Sequence, residues 1–306
     1  MSTATAELDR LTQRWERFRT GRNSSLASDH GWLTLTSFQW LPASPAPLAG
    51  IPGLWSFEGT TASLTATATD HLTLVESGEP VVGTITAALD DEQSIMWVSS
   101  DSVVVELGMR ANRYMIRTRD SASPVLTNFS AVPVFSYSPN LVVTGTFERW
   151  DTPRPTAIAT ANPLVPGVAE LVGEVSFELN GTQYRLAAEE GGLGSLVLTF
   201  HDASNEISTS HWRKVELTRP RPDGSVVIDF NRTINYPSAF TDYGTCPAPV
   251  TGNTLPVSIE AGERDPGSSQ RRQSLPSRGQ SLSMRRTCFR VQRISSLPQT
   301  YAPDSV

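Results

Sequence analysis

Glu174-Val-Ser-Phe-Glu-Leu-Asn-Gly-Thr-Gln-Tyr-Arg-Leu-Ala187 sets the reading of the whole chain. Val175, Phe177 and Leu179 alternate with Glu174, Ser176 and Glu178, the period of two expected of a strand with one buried face. Asn180-Gly181 follows, a dipeptide that accepts positive φ at both central positions of a two-residue turn. Gln183–Leu186 then resumes a strand-like run. The segment predicts a β-hairpin.

The same grammar extends outward. Strand-like runs recur at 71–75, 81–87, 94–98, 103–107, 113–119, 141–147, 195–200, 211–217, 225–230 and 255–259, separated by turn signals such as Ser77-Gly78 and Pro222-Asp223-Gly224. Short strands at this density predict a mainly β chain, a single-domain antiparallel sandwich or barrel-like fold rather than alternating β/α units. No periodic repeat points to a propeller. One helix is expected over Ala6–Thr20, where Leu8, Leu11, Trp15 and Phe18 form a single apolar stripe. Ser2 or Thr3 would cap it and Gly21 would stop it. Asp151–Gly167, punctuated by Pro153, Pro155, Pro163 and Pro166, reads as a long crossing loop, or alternatively as a linker between two β lobes. The expected layout is an N-terminal helical segment (1–27) packing on a β domain (28–263). A tail (264–306), rich in Arg and Ser and without strand alternation, is expected to be disordered.

Composition removes several function classes. Of 306 residues, 38% are apolar and 18% charged, which excludes a coiled coil or a disordered acidic chain. Two cysteines, Cys246 and Cys288, cannot make a disulfide framework or a four-Cys zinc site. No apolar run approaches the roughly 18 residues of a membrane span, and Glu7, Asp9, Arg10, Arg14 and Glu16 interrupt any signal-like stretch, so a cytoplasmic location is expected. Residues 264–306 hold eight Arg and two Asp, a net +6; the preceding 17 basic and 29 acidic groups give −12. An acidic body repels phosphate backbones, so no nucleic-acid partner is expected. No pair of histidines has metal-ligand spacing, and no nucleophile elbow or phosphate-binding glycine motif occurs, so neither metal nor cofactor is expected.

Candidate site residues come from two places. Arg113, Arg117 and Arg119 share one strand face and Arg213 lies in another strand; guanidinium forks so placed can clamp a carboxylate or phosphate. The alternatives are a solvated sheet face, or ion pairs with Asp120, Glu106 and Asp229. The second place is the Pro-interrupted stretch 229–263, with Asp229, Asn231, Asn235, Tyr236, Tyr243, Asn253 and Glu263. Such loops carry sites on rigid scaffolds, but Asp and Asn also hold irregular backbone in place. Cys246 with His211 as base would form a nucleophilic pair; otherwise Cys246 is a buried small hydrophobe before a proline turn.

That stretch also carries a resemblance. Asp229-Phe-Asn-Arg-Thr-Ile-Asn-Tyr-Pro-Ser-Ala-Phe-Thr-Asp-Tyr-Gly-Thr-Cys-Pro-Ala-Pro249, then Asn253, Leu255-Pro256-Val257 and Glu260-Ala-Gly-Glu263, resembles the closing signature of the family called domain of unknown function 1684. Gly31-Trp-Leu, Arg117-Thr-Arg-Asp120 with Pro124, and Phe200-His-Asp202 agree with it, so the likeness spans about residues 10–264. It implies a mostly prokaryotic domain of no established activity. Three positions depart from the family pattern: Ser238 for the usual Cys, His211 for Tyr, and Trp212 for Gly.

The leading functional expectation is a small anionic molecule bound in a pocket by Arg117 and Arg213, with Asn231, Tyr236 and Asn253 beside it. A hydrolase or lyase using Asp229 as base, or Cys246 as nucleophile with His211, is the alternative. A structural or interaction protein without a chemical site is the third. Convergence of Arg117, Arg213, Asp229 and Asn231 on one pocket separates the first two from the third.

Overall fold

The computed structural model describes residues 3–267. Helix α1 (Thr3–Leu26) leads into β1 (Leu35–Trp40), β2 (Ala46–Leu48), β3 (Ile51–Glu58), β4 (Thr61–Ala66), β5 (Thr73–Leu74), β6 (Gly83–Ala87), β7 (Ser94–Ser100), β8 (Val103–Arg110) and β9 (Arg113–Asp120). These form two antiparallel sheets, ordered β1-β9-β8-β7-β5 and β2-β3-β4-β6. One apolar core joins them: Trp55 and Leu64 from one sheet meet Trp97, Val105, Leu107 and Ile116 from the other. Trp55 and Trp97 lie edge to face at 5.9 Å.

A single helical turn, α2 (Pro124–Thr127), precedes β10 (Val142–Ile158), β11 (Gly167–Leu179), β12 (Thr182–Glu190), β13 (Leu196–Asp202), β14 (Arg213–Leu217), β15 (Ser225–Asp229), β16 (Ile234–Asn235) and β17 (Thr254–Leu255). The sheet order is β15-β10-β11-β12-β13-β14-β16, with β17 parallel to β13. Its own core is built on Val175, Phe177, Leu186, Phe200, Val215 and Phe230. The chain is thus mainly β with an N-terminal helix, as expected, and its sheets are open rather than closed into a barrel. The β11–β12 hairpin turns on Asn180 (φ 52°) and Gly181 (φ 78°), with Leu179 opposite Thr182. Both positive φ values are those a two-residue hairpin turn demands.

Several local expectations are corrected. Gly21 does not stop α1; no Cβ there would meet an atom within 4 Å, and the helix runs on to Leu26. Asp151–Ile158 is neither loop nor linker but the outer half of β10, pairing with β11 on one side only beyond the stretch that contacts β15. Pro153 and Pro155 fit there because an edge needs no ladder donor. The run expected over 255–259 contributes only Thr254–Leu255. β3 and β4 fall where no strand was expected, since the inward residues of β4 include the small Ala62 and Ala66.

The helix is held by charge as much as by its stripe. Leu8 is exposed and Leu11, Trp15 and Phe18 are half-buried, whereas Arg19 is buried. Arg19 Nη1 and Arg22 Nε stand 3.1 and 3.0 Å from Glu263 Oε1, and Glu263 is fully buried. Its other oxygen accepts from the Asn235 backbone N at 2.7 Å. Trp15 Nε1 donates to Asn231 O at 2.9 Å. Trp32 and Trp40 lie under the guanidinium groups of Arg119 (5.0 Å) and Arg113 (4.1 Å). No helix among the described residues is long and apolar enough to cross a membrane. The tail expectation beyond residue 267 falls outside the described residues.

Candidate functional site

Strand alternation puts Arg117 and Arg213 on sheet faces, and packing buries both. Arg213 is fully buried: Nη2 donates to Asp202 Oδ2 and Ile259 O at 2.8 Å each, Nη1 to Ala261 O at 2.7 Å and Glu263 O at 3.0 Å. Burial pulls its guanidinium below the ordinary value, against the pull of Asp202. The 259–263 backbone is thus wound around this cation, which satisfies carbonyls that no strand partner reaches. Arg117, 1% exposed, donates through Nη1 to Glu106 Oε1 (3.1 Å), through Nε to Tyr243 O (3.1 Å) and through Nη2 to Thr245 Oγ1 (2.8 Å). Arg119 takes the other Glu106 oxygen through Nε (3.0 Å) and Nη2 (2.6 Å), and His30 O and Gly31 O through Nη1. Burial raises the Glu106 carboxyl, but Arg117 and Arg119 outweigh it and hold the group below the usual carboxylate range.

These contacts correct the expectation that Arg117, Arg213 and Asp229 share one polar cluster. Arg117 and Arg213 belong to different sheets with different carboxylates. Asp229 Oδ1 accepts from Asn231 N (3.1 Å) and Asn231 Nδ2 (2.9 Å), capping a short 3-10 turn. Asn231 also ties Ser138 by its backbone N and O. Asn253 bridges two strands that have diverged: Oδ1 accepts from Ala187 N at 2.8 Å, while Nδ2 donates to Ala187 O and Thr199 O at 2.9 Å. Beside it, β12 and β13 pair only at Glu189–Val197 and Glu190–Leu196.

Tyr236 hydroxyl meets Thr199 Oγ1 at 2.6 Å, and burial pushes its phenol up. Lys214 Nζ stands 5.6 Å from that ring. Burial pushes the Cys246 thiol up too, against hydrogen bonds from Ser238. A thiol held protonated is a poor nucleophile. His211 is engaged elsewhere: the imidazole is exposed and Nδ1 stands 2.9 Å from Glu206 Oε1.

Cavities open elsewhere. One, about 600 Å³, lies where the β8–β9 turn (Arg110, Ala111, Asn112) faces Ile158, Val168, Glu189 and Thr245. Burial raises the Glu189 carboxyl, with Lys214 acting weakly against it. A smaller cavity, about 190 Å³, is lined by Glu206, Ser210, His211, Trp212, Ser238 and Asp265, among others. An open groove of about 430 Å³ runs between Leu8, Trp15 and the Val134–Tyr137 segment. Arg117, Arg213, Asp229 and Asn231 line none of the three. Thr245 links the two, lining the cavity of about 600 Å³ while accepting from Arg117.

The molecule is therefore an open-sheet β protein whose buried arginines are spent on its own carboxylates and backbone carbonyls, with cavities beside the β8–β9 turn and beside β14. Residues 127–264 match the model of a family described as a protein of unknown function, DUF1684. The match takes in the Phe200-His-Asp202 and Asp229–Glu263 motifs and begins well after residue 10; Gly31-Trp-Leu and Arg117–Asp120 lie before it. A solution NMR structure of an uncharacterised protein of Haloarcula marismortui is similar, at 24% identity and a TM-score of 0.38, covering 45% of this chain and 78% of that one. No curated protein matches. Ser238, His211 and Trp212, the positions read from the sequence as departing from the family pattern, all line the smaller cavity.

Sequence reading missed Glu189, Glu206 and Asp202. Asp202 stood in a quoted motif, whereas Glu189 and Glu206 carry no local signal, since only folding brings them to a cavity.

Proposed function

We propose that the protein binds a small organic molecule in the cavity of about 600 Å³ between the β8–β9 turn and β12, and that the ligand is neutral or basic. The observation that carries this reading is Glu189. Its carboxyl forms no ion pair among the described residues, burial raises it, and it lines the same cavity as Ile158, Val165 and Val168. A large pocket with apolar walls and one perturbed polar group is the usual form of a small-molecule site. The anionic ligand expected from the Arg-bearing strands fits less well. Asp91, Glu92 and Glu189 share this cavity with one cation, Arg110, which is engaged by Gln93 O (2.9 Å), Ser94 Oγ (2.9 Å) and Glu92 (3.6 Å). Against the hydrolase or lyase alternative, Asp229 is engaged by Asn231, His211 by Glu206, and the Cys246 thiol is pushed up by burial.

The test is a thermal-shift screen of neutral, basic and anionic metabolites on wild type and Glu189→Gln. A ligand at a hundred times its dissociation constant stabilises by about 2.7 kcal/mol. A basic ligand should shift wild type and shift Glu189→Gln far less. Stabilisation by anions alone, or shifts indifferent to Glu189, would defeat the reading.

A further inference from the structure

Strand β6 lies at the edge of the β2-β3-β4-β6 sheet and pairs with β4 alone. The register decides which of its backbone groups face outward. Glu58 and Thr61 close the two-residue turn between β3 and β4, and the closing pair of such a turn is hydrogen-bonded. Alternation then turns Thr61, Ser63 and Thr65 towards β3, and Ala62, Leu64 and Ala66 towards β6. On β6 the N–H and C=O groups of Gly83, Ile85 and Ala87 therefore face β4, and those of Thr84 and Thr86 face out. Thr84 Oγ1 stands 2.8 Å from Thr65 Oγ1, as suits a pair whose backbones do not bond and whose side chains come closest. Among the described residues the outward groups have no backbone partner.

An open edge is a template for a further strand, and proteins blunt it with proline, charge, a bulge or short length. The other edges here carry such devices. β2 holds Pro47, the outer half of β10 holds Pro153 and Pro155, β1 is bulged between Leu35 and Ser37, β15 closes on Asp229, and β5 and β16 are two residues each. β6 carries none. Val81–Leu89 contains neither a charged residue nor a proline, and β6 runs against β4 without a break in register. Gly83, Thr84 and Thr86 are exposed, Val82 before them is 66% exposed, and a Cβ at Gly83 would meet no atom within 4 Å.

We propose that this edge is a homodimer interface, in which β6 pairs antiparallel with β6 of a second copy about a two-fold axis at Ile85. The strand is self-complementary in that arrangement. Thr84 stands opposite Thr86 of the partner subunit, so the outward N–H and C=O groups of each strand answer those of the other. Ile85 already packs on the core of Trp55, Leu64 and Trp97, and meeting its own copy across the axis continues that apolar face from one protomer to the next. Charge favours this place for a second copy over any other. Residues 1–263 carry a net −12, which drives copies apart wherever acidic groups meet, and β6 is an uncharged stretch of backbone at which they need not meet.

Sedimentation equilibrium of the full chain measures the mass at about 0.15 M salt, where exposed charges more than about 8 Å apart are largely screened. Wild type should pass from monomer to dimer between about 1 μM and about 1 mM, the range of weak association. Thr86→Pro removes an outward donor and no bond to β4, and should weaken the dimer while the circular dichroism stays unchanged. Thr84→Lys combined with Thr86→Lys sets like charges opposite each other and should weaken it by about tenfold, as should Thr84→Glu combined with Thr86→Glu. An equimolar mixture of the Lys and Glu variants should dimerise again, since every Lys then faces a Glu; a variant that had merely lost its fold would show no such recovery. A wild type that stays monomeric throughout, whichever other strand the edge takes, would overturn the assignment. So would a dimer indifferent to both Thr86→Pro and the Lys pair, or no recovery on mixing.

Discussion

Replacing Glu106 probes the charge cluster at the centre of the first sheet. Glu106 is 3% exposed and stands between Arg117 and Arg119, 1% and 5% exposed. Its two oxygens accept three guanidinium hydrogen bonds, at 3.1, 3.0 and 2.6 Å. Glu106→Ala removes all three acceptors and leaves two buried cations sharing one cavity. Arg117 would keep Tyr243 O and Thr245 Oγ1, and Arg119 would keep His30 O and Gly31 O, so neither is wholly abandoned. Removing one partner of a buried ion pair costs about 3–5 kcal/mol; with those residual contacts, about 4 kcal/mol is expected for Ala. Glu106→Gln keeps one acceptor oxygen and should cost about 3 kcal/mol. Urea unfolding followed by circular dichroism and tryptophan fluorescence measures both, provided the slope against denaturant is unchanged. Because the folded carboxyl lies below its ordinary value of 4.5, its contribution is present above that pH and lost as the pH falls through the folded value. Wild type should therefore lose stability on that acid limb while Glu106→Gln does not. A cost below about 1 kcal/mol for Ala, the range of exposed ion pairs, would refute the claim that this cluster is desolvated.

Three further outcomes are expected. Gly21→Ala, in the exposed interior of α1 with open space at the Cβ position, should stabilise the protein by about 0.5–1 kcal/mol in the same urea assay. Asn253→Ala strands Ala187 N, Ala187 O and Thr199 O and should cost about 3 kcal/mol, while Asn253→Asp should cost at least as much at neutral pH because its second oxygen then faces two carbonyls. Glu189, raised by burial, opposes folding increasingly as the pH climbs above its ordinary 4.5. Glu189→Gln should thus match wild type in acid and exceed it in thermal stability at neutral pH; equal stability throughout would show the carboxyl to be well solvated.

Much of the fold was legible because strands declare themselves locally. Period-two alternation and the turn chemistry of Asn180-Gly181 depend on neighbours in sequence, so the β11–β12 hairpin and its register could be read without knowing what packs on it. The stripe of α1 was legible for the same reason, but its end was not, since Gly21 stays helical through contacts made by Arg19 and Arg22 with Glu263, more than 240 residues away. The candidate site divides along the same line. Alternation placed Arg117 and Arg119 on one face, yet that pattern is identical whether the face meets water, a ligand or a carboxylate. Only the packing of β9, buried on both faces, put Glu106, Tyr243 and Thr245 against them. Asn253 likewise read as a candidate ligand group until β12 and β13 diverged beside it and left backbone groups for it to satisfy. Cavities are still further from the sequence: Glu206, Ser210, Ser238 and Asp265 share one because distant turns close on each other. The sequence by itself determined the β grammar and the residue types available for chemistry. Which of those residues are spent on the protein's own backbone, and which face open space, was decided by tertiary structure, because burial and partners are properties of what packs across a chain and not along it.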